Sequence, residues 1–252
     1  MKILVLPDTQ VKYGQDFSFL TCIGNYIVEK KSDVVVMLGD FCDLESLSSY
    51  DVGKKSFEGR RYVNDMNAAR EAMNALLSPL KAYNKEQKRQ KRKPYKPELI
   101  MLHGNHEARI TTAINNDPKL DGLISLNDLP FEDWEVIPFL EVKVIGGIAF
   151  SHYMCAGLMG KPITSAQALL TKKHMSCVVG HQQGRNIAFG QRADGTQMTA
   201  IISGSCYEED QLYLNSQTNK CWHGLWMLHN VADGSFDEMA VPLQYITDNY
   251  SK

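Results

Sequence analysis

Several short apolar runs in this 252-residue chain end in side chains that can bind a metal or move a proton. The run 3–6 leads into Pro7, Asp8, Thr9 and Gln10, and the run 34–38 into Gly39, Asp40, Phe41, Cys42 and Asp43. The run 99–102 leads into His103, Gly104, Asn105, His106 and Glu107. Further on, a run ending at Phe150 is followed by Ser151 and His152, and the run 177–179 by Gly180, His181, Gln182 and Gln183. Any one of these acids alone reads as a loop or helix-capping residue. Together they read as one site. Carboxylate and amide oxygens mixed with imidazoles are the ligand set of Mn²⁺, Fe or Zn²⁺ rather than of Ca²⁺, and such metals activate water and neutralise phosphate charge. Metal-assisted hydrolysis is the chemistry these residues suit.

The elements that must position them follow from periodicity. The runs 3–6 and 34–38 read as buried strands flanking a helix over about 17–31, a βαβ unit with parallel strands, and α/β folds place ligands beyond the carboxyl ends of such strands. Val63, Met66, Ala69, Met73, Leu76, Leu77 and Leu80 recur at helical spacing, giving an amphipathic helix over about 60–83. The strand 99–102 precedes a short helix. Between 134 and 150 the Gly146-Gly147 pair marks a hairpin, and a helix is expected over about 165–174. Strand-like runs at 198–203, 222–229 and 236–243 follow, with turns at Asp194-Gly195 before the first and Asp233-Gly234 before the last.

Composition limits the rest. With 44% hydrophobic and 22% charged residues the chain is an ordinary globular one, and without a Pro/Gly/Ser-rich linker it reads as a single domain over 1–252, with a basic helical or loop insertion around 54–97. The formal charge of −2 gives no global field for nucleic acid or an anionic membrane. Residues 85–96 hold seven bases and one acid, however, so positive charge is concentrated there. Cys22, Cys42, Cys155, Cys177, Cys206 and Cys221 form no CxxC pair, and the opening apolar run is too short for a signal or a membrane span, so reduced thiols and a cytoplasmic location are expected.

In order and combination, Gly39 to Asp43, Gly104 to Glu107, His152 and Gly180 to Gln183 resemble the calcineurin-like metallophosphoesterase superfamily, with its D-x-H, GDxxD, GNHE, lone His and GHxH motifs. The chain also resembles members encoded by bacteriophages, which would place it in a host cytoplasm. The resemblance implies a four-layer αββα sandwich of two mixed β-sheets with a two-metal centre on one edge. By matching position, Asp40 bridges both metals, and Asn105, His152 and His181 complete one of them. The other takes Asp8, Gln10, Asp40 and Gln183, where Gln10 and Gln183 stand in place of histidines. A neutral amide oxygen makes that second site harder and weaker, favouring Mn²⁺ or Mg²⁺ over Zn²⁺. His106 corresponds to the non-ligand histidine that protonates the leaving group, oriented by Asp43, and the nucleophile is a metal-bound water.

Bases near the motifs complete the expectation. Lys54, Arg60 and Arg61 follow the second motif and Arg109 the third, so each is a candidate phosphate contact. Arg185, beside the last motif, is another. The run 85–96 reads as a solvated loop before it reads as a nucleic-acid contact. With the phage-like resemblance, these segments favour a phosphodiesterase acting on nucleic acid or a nucleotide. A phosphomonoesterase is the second reading, although the arginine of the protein-phosphatase branch is missing and Leu44-Glu45 stands instead. The third is a degraded module that only binds phosphate. Retention of His106 with Asp43 argues against it, because binding alone needs no leaving-group acid.

Overall fold

Along strand β1 (Ile3–Leu6) every residue is fully buried, and alternate side chains enter different cores, Leu4 and Leu6 one and Ile3 and Val5 another. Strand β2 (Val34–Met37) divides the same way, Val35 and Met37 against Val34 and Val36. Successive strand side chains point to opposite faces, so an unbroken apolar run belongs to a strand covered on both sides. These coordinates are a computed structural model describing residues 1–157, 159–207 and 221–251.

β1 and β2 lie at the centre of the first sheet. With β3 (Glu98–Leu102), β4 (Glu135–Ile137), β12 (Gly224–Ala232) and β13 (Ser235–Pro242) its order is β13-β12-β1-β2-β3-β4, and β1 to β4 run parallel. The second sheet, in order β10-β11-β9-β6-β5, comprises β5 (Lys143–Ile145), β6 (Ile148–Ser151), β9 (Cys177–Val179), β10 (Arg185–Gln191) and β11 (Gln197–Ser203). Ile3, Val5, Val36 and Ile100 of one sheet pack on Phe150, Val178 and Ile201 of the other. Helices α1 (Ser18–Lys30), α2 (Tyr62–Arg89) and α5 (Leu243–Tyr250) cover the outer face of the first sheet through Phe19, Ile23, Met73, Leu76 and Ile246. Helix α4 (Ala166–Lys173) covers the second through Leu169 and Leu170. The layers are therefore α, β, β and α, as expected. Helix α3 (Ala108–Asn116) follows β3, and β7 (Cys155–Ala156) pairs with β8 (Lys161–Pro162) in a small ladder.

The helix expected to end near 83 continues to Arg89, so the first part of the basic run is its last turn, where Lys88 and Arg89 suit the negative end of the helix dipole. Met66, Ala69, Ala72 and Leu76 of α2 are core residues, which makes this helix part of a layer. Pro79 lies inside it. Proline cannot donate to the carbonyl four residues back, and Ser78 Oγ donates to that Ala75 carbonyl instead, at 3.3 Å. Strand β10 and helix α5 were not foreseen. β10 is an edge strand with exposed Arg185, Asn186 and Phe189, so its composition carries little β signal, and α5 begins where the preceding strand was expected to end. Among the described residues no helix is long and apolar enough to cross a membrane.

Candidate metal centre

Parallel pairing puts the carboxyl ends of β1, β2 and β3 on one edge, and with them Asp8, Asp40 and Asn105. In the second sheet β6 and β9 are parallel neighbours, and their ends deliver His152 and His181. Contacts join the two sets. His152 Nε2 lies 2.9 Å from Asn105 Oδ1 and 3.3 Å from Asp40 Oδ2, while His152 Nδ1 lies 2.9 Å from the Leu38 carbonyl oxygen. A carbonyl only accepts, so Nδ1 carries the hydrogen and Nε2 is the nitrogen with a lone pair to offer a metal. The His181 backbone N–H donates to Asp8 Oδ1 at 3.1 Å. One ligand atom each from Asp40, His152 and His181 lies within 4.8 Å of the other two.

The loops that hold these residues adopt unfavourable backbone angles. Gln10, Asp40 and His181 have φ of +44°, +49° and +67°, a region costly for residues with a Cβ and concentrated at functional sites. Gly104 is required by proximity, since a Cβ there would stand 2.1 Å from Asp40 Oδ1. The side chain that fixes these loops is Glu107, fully buried, whose Oε2 accepts from the Asp40 and Gly104 N–H groups at 2.9 and 2.8 Å and whose Oε1 accepts from Cys42 N–H at 3.1 Å. Sequence reading gave Glu107 no role. Its signal was its place as the last residue of the GNHE motif.

His106 forms a second unit. Its Nδ1 is 2.9 Å from the Asp43 carbonyl oxygen and 3.1 Å from Asp43 Oδ1, so Nδ1 donates and Nε2 is left 3.6 Å from Asp40 Oδ2. Arg109 Nη2 lies 3.1 Å from the same Nε2, and Nη1 donates to the Asp43 carbonyl oxygen and, at 3.2 Å, to Asp43 Oδ1. Burial opposes charge on His106, yet nearby Asp40 and the Asp43 hydrogen bond raise its pKa above the usual value.

Electrostatics show what the cluster lacks. Burial, reinforced by Asp40, pushes the Asp8 carboxyl up to about 7 although His152 opposes it. Burial would also raise Asp40, but His106 and His152 hold it well below the usual carboxylate range. His152 rises to about 9 because Asp40 outweighs its burial, and His181 falls to about 4 through burial and the neighbouring His152. Asp8 Oδ2 and Gln10 Oε1 are buried and accept no hydrogen bond from the described residues. Buried oxygens without a donor, among carboxylates and imidazoles, are completed by a cation. The donor set therefore fits a divalent metal.

Gln183 is tied differently, since its Oε1 accepts a hydrogen bond from the Tyr207 hydroxyl. The bases after the second motif are engaged with that segment's own acids. Arg60 Nη1 donates to Asp51 Oδ2 at 2.7 Å and Lys54 Nζ to Asp51 Oδ1 at 2.9 Å, while Arg61 is exposed and donates to the Arg60 carbonyl oxygen. Residues 90–97 enter β3 at its amino end, and the cluster lies beyond its carboxyl end, about 16 Å away at ordinary strand rise.

The family model for calcineurin-like phosphoesterases matches residues 1–182. Among solved structures, the chain is similar to Yfce, a phosphoesterase from E. coli, at 13% identity over 96% of this chain and 100% of that one, with a TM-score of 0.37. A second solved structure is 10% identical over 95% of this chain and 98% of its own, with a TM-score of 0.40. At these scores neither likeness carries an argument. No curated protein matches the sequence.

Proposed function

The chain belongs to the calcineurin-like phosphoesterase family, and on that premise we propose that it is a metal-dependent phosphodiesterase whose substrate is a nucleic acid or a nucleotide. The observation that carries the metal dependence is the pair of buried oxygens without a donor among the described residues, Asp8 Oδ2 and Gln10 Oε1, on the strand-end loops that also carry the cluster of Asp40, His152 and His181. Asp8, Gln10, Asp40, Asn105, His152 and His181 hold the metal, with Mn²⁺ best suited to this mixture of oxygens and nitrogens. A divalent ion bound there neutralises phosphoryl charge and lowers the pKa of water.

His106 is the general acid. With Nδ1 donating to Asp43, which keeps the ring turned, Nε2 is the atom that in the imidazolium form passes its proton to the leaving-group oxygen; without substrate the same Nε2 accepts from Arg109 Nη2, since a guanidinium only donates. Arg109 Nη2, beside Nε2, is placed to hold a phosphoryl oxygen. The preference for a diester rests on charge. Arg109 is already shared with Asp43, and Lys54 and Arg60 are paired with Asp51. A diester's single negative charge asks less of such a site than a monoester dianion does.

Metal-stripped protein titrated separately with Mn²⁺, Mg²⁺ and Zn²⁺ and assayed on bis-p-nitrophenyl phosphate and p-nitrophenyl phosphate tests this. Expected is diester turnover that requires Mn²⁺ and drops about a hundredfold or more in His106→Ala. Turnover of the monoester alone would overturn the diesterase assignment. Inactivity with every metal would leave a phosphate-binding module.

A further inference from the structure

Gln183 stands where the superfamily pattern has a ligating histidine, yet its side-chain oxygen is already occupied by Tyr207. A phenol donates a hydrogen bond better than it accepts one, because its lone pair is shared with the ring, so the contact turns the amide oxygen toward Tyr207 and the amino group away. Both partners are held. Tyr207 is 1% exposed and its ring centroid is 4.9 Å from that of His223. Next to it, the Cys206 N–H donates to the Asp8 carbonyl oxygen at 2.7 Å, and the Trp222 N–H donates to the Gln183 carbonyl oxygen at 2.9 Å. Tyr207 is thus tied to the loop that carries Asp8, and Gln183 to the segment that carries Trp222.

The two glutamines therefore differ in what they offer. Gln10 Oε1 is buried without a donor and suits a cation. Gln183 Nε2 hydrogen-bonds to none of the described residues, and an amide NH₂ can only donate. Such a group cannot ligate a metal. Two residues along the chain from His181, it suits an anionic oxygen, which draws strong hydrogen bonds from fixed donors.

We infer that Gln183 donates a hydrogen bond to a phosphoryl oxygen of the bound substrate, set in that orientation by Tyr207, and that the metal centre is complete without it. Tyr207 is a positioning residue. The inference rests on the phosphoesterase reading and assigns Gln183 to substrate instead of to metal.

Calorimetric titration of metal-stripped protein with Mn²⁺, followed by titration of the Mn²⁺-loaded protein with inorganic phosphate, separates the two roles in the wild type, Gln183→Ala and Tyr207→Phe. In Gln183→Ala, Mn²⁺ stoichiometry and affinity stay within about twofold while phosphate Kd rises about tenfold or more, the expected loss for a hydrogen bond to a charged group. Tyr207→Phe weakens phosphate binding in the same direction and leaves Mn²⁺ binding unchanged. Should Tyr207→Phe fail to fold, Gln183→Ala decides alone. Loss of a Mn²⁺ equivalent or a tenfold weaker Mn²⁺ affinity in Gln183→Ala would make Gln183 a ligand and overturn the inference. Phosphate binding that Gln183→Ala leaves unchanged, or none in the wild type, would overturn it as well. A wild type that binds phosphate through Gln183 but hydrolyses no ester would defeat the enzymatic reading and leave this one standing.

Discussion

Glu107 carries no chemistry of its own and yet holds together the loops on which the chemistry depends. One carboxylate accepts from the N–H groups of Asp40, Cys42 and Gly104, at a place where Asp40 is bent into the left-handed region. In Glu107→Ala three buried donors lose their acceptor, and at about 1–3 kcal/mol for each such group the loss in unfolding stability is on the order of 3 kcal/mol or more. Glu107→Gln, which keeps one oxygen, loses less. Urea denaturation of the two variants measures this, and an unchanged midpoint for Glu107→Ala would show that water replaces the carboxylate at no cost. Asp8, Asp40, Asn105, His152 and His181 were legible as candidates in the sequence because each lies within three residues of the end of an apolar strand. The roles of Glu107, read only as the end of a motif, and of Tyr207 were not, because they act through backbone and side-chain hydrogen bonds that leave no periodic trace.

At the scale of elements, the same contrast separates buried strands from edges. β1, β2, β3 and β9 were readable as continuous apolar runs because both their faces are covered, whereas β10 at a sheet edge and α5 at the chain's end depend on tertiary context. The crossing of α1 and α2 was equally silent. A Cβ on Gly24 would stand 2.4 Å from the Leu76 carbonyl oxygen and 2.8 Å from Pro79 Cγ, so the two helices meet where one has no side chain and the other has its proline. Because the obstacle includes backbone, Gly24→Ala must part the helices, and a cost of about 1–3 kcal/mol is expected by urea titration. A melt indistinguishable from the wild type would mean the crossing is looser than the distances imply. The basic run allows the converse test. Lying at the amino end of β3, away from the ligand cluster, its residues Lys91, Arg92 and Lys93 can be changed together to glutamine with kcat/KM for a small diester held within about twofold. A tenfold fall would place that run at the site.

The two large sheets meet with their strand ends at one edge, and a metal held there in the proposed way would join them, with Asp8, Asp40 and Asn105 from one sheet and His152 and His181 from the other. Such a bond belongs to the folded state alone, so metal binding stabilises by mass action. At Mn²⁺ a hundredfold above its Kd the gain is about 2.7 kcal/mol, or roughly 5–10 °C in Tm for a domain of this size. The sign of the pH dependence follows from the ligands. Without metal, the raised pKa values of Asp8, about 7, and His152, about 9, stabilise the fold at low pH. For Asp8 that contribution is complete below its unfolded value near 4 and is lost as pH rises through 7; for His152 it is complete below about 6.5 and is lost through 9. Mn²⁺ needs Asp8 ionised and His152 neutral, so its stabilisation grows across the range in which the metal-free fold loses these contributions. Thermal melts with EDTA and with excess Mn²⁺ at pH 5.5 and pH 8 should therefore show the larger Mn²⁺-induced rise at pH 8. Equal rises at the two pH values would mean that the ion binds away from Asp8 and His152, and no rise at either would remove the metal from the edge where the sheets meet.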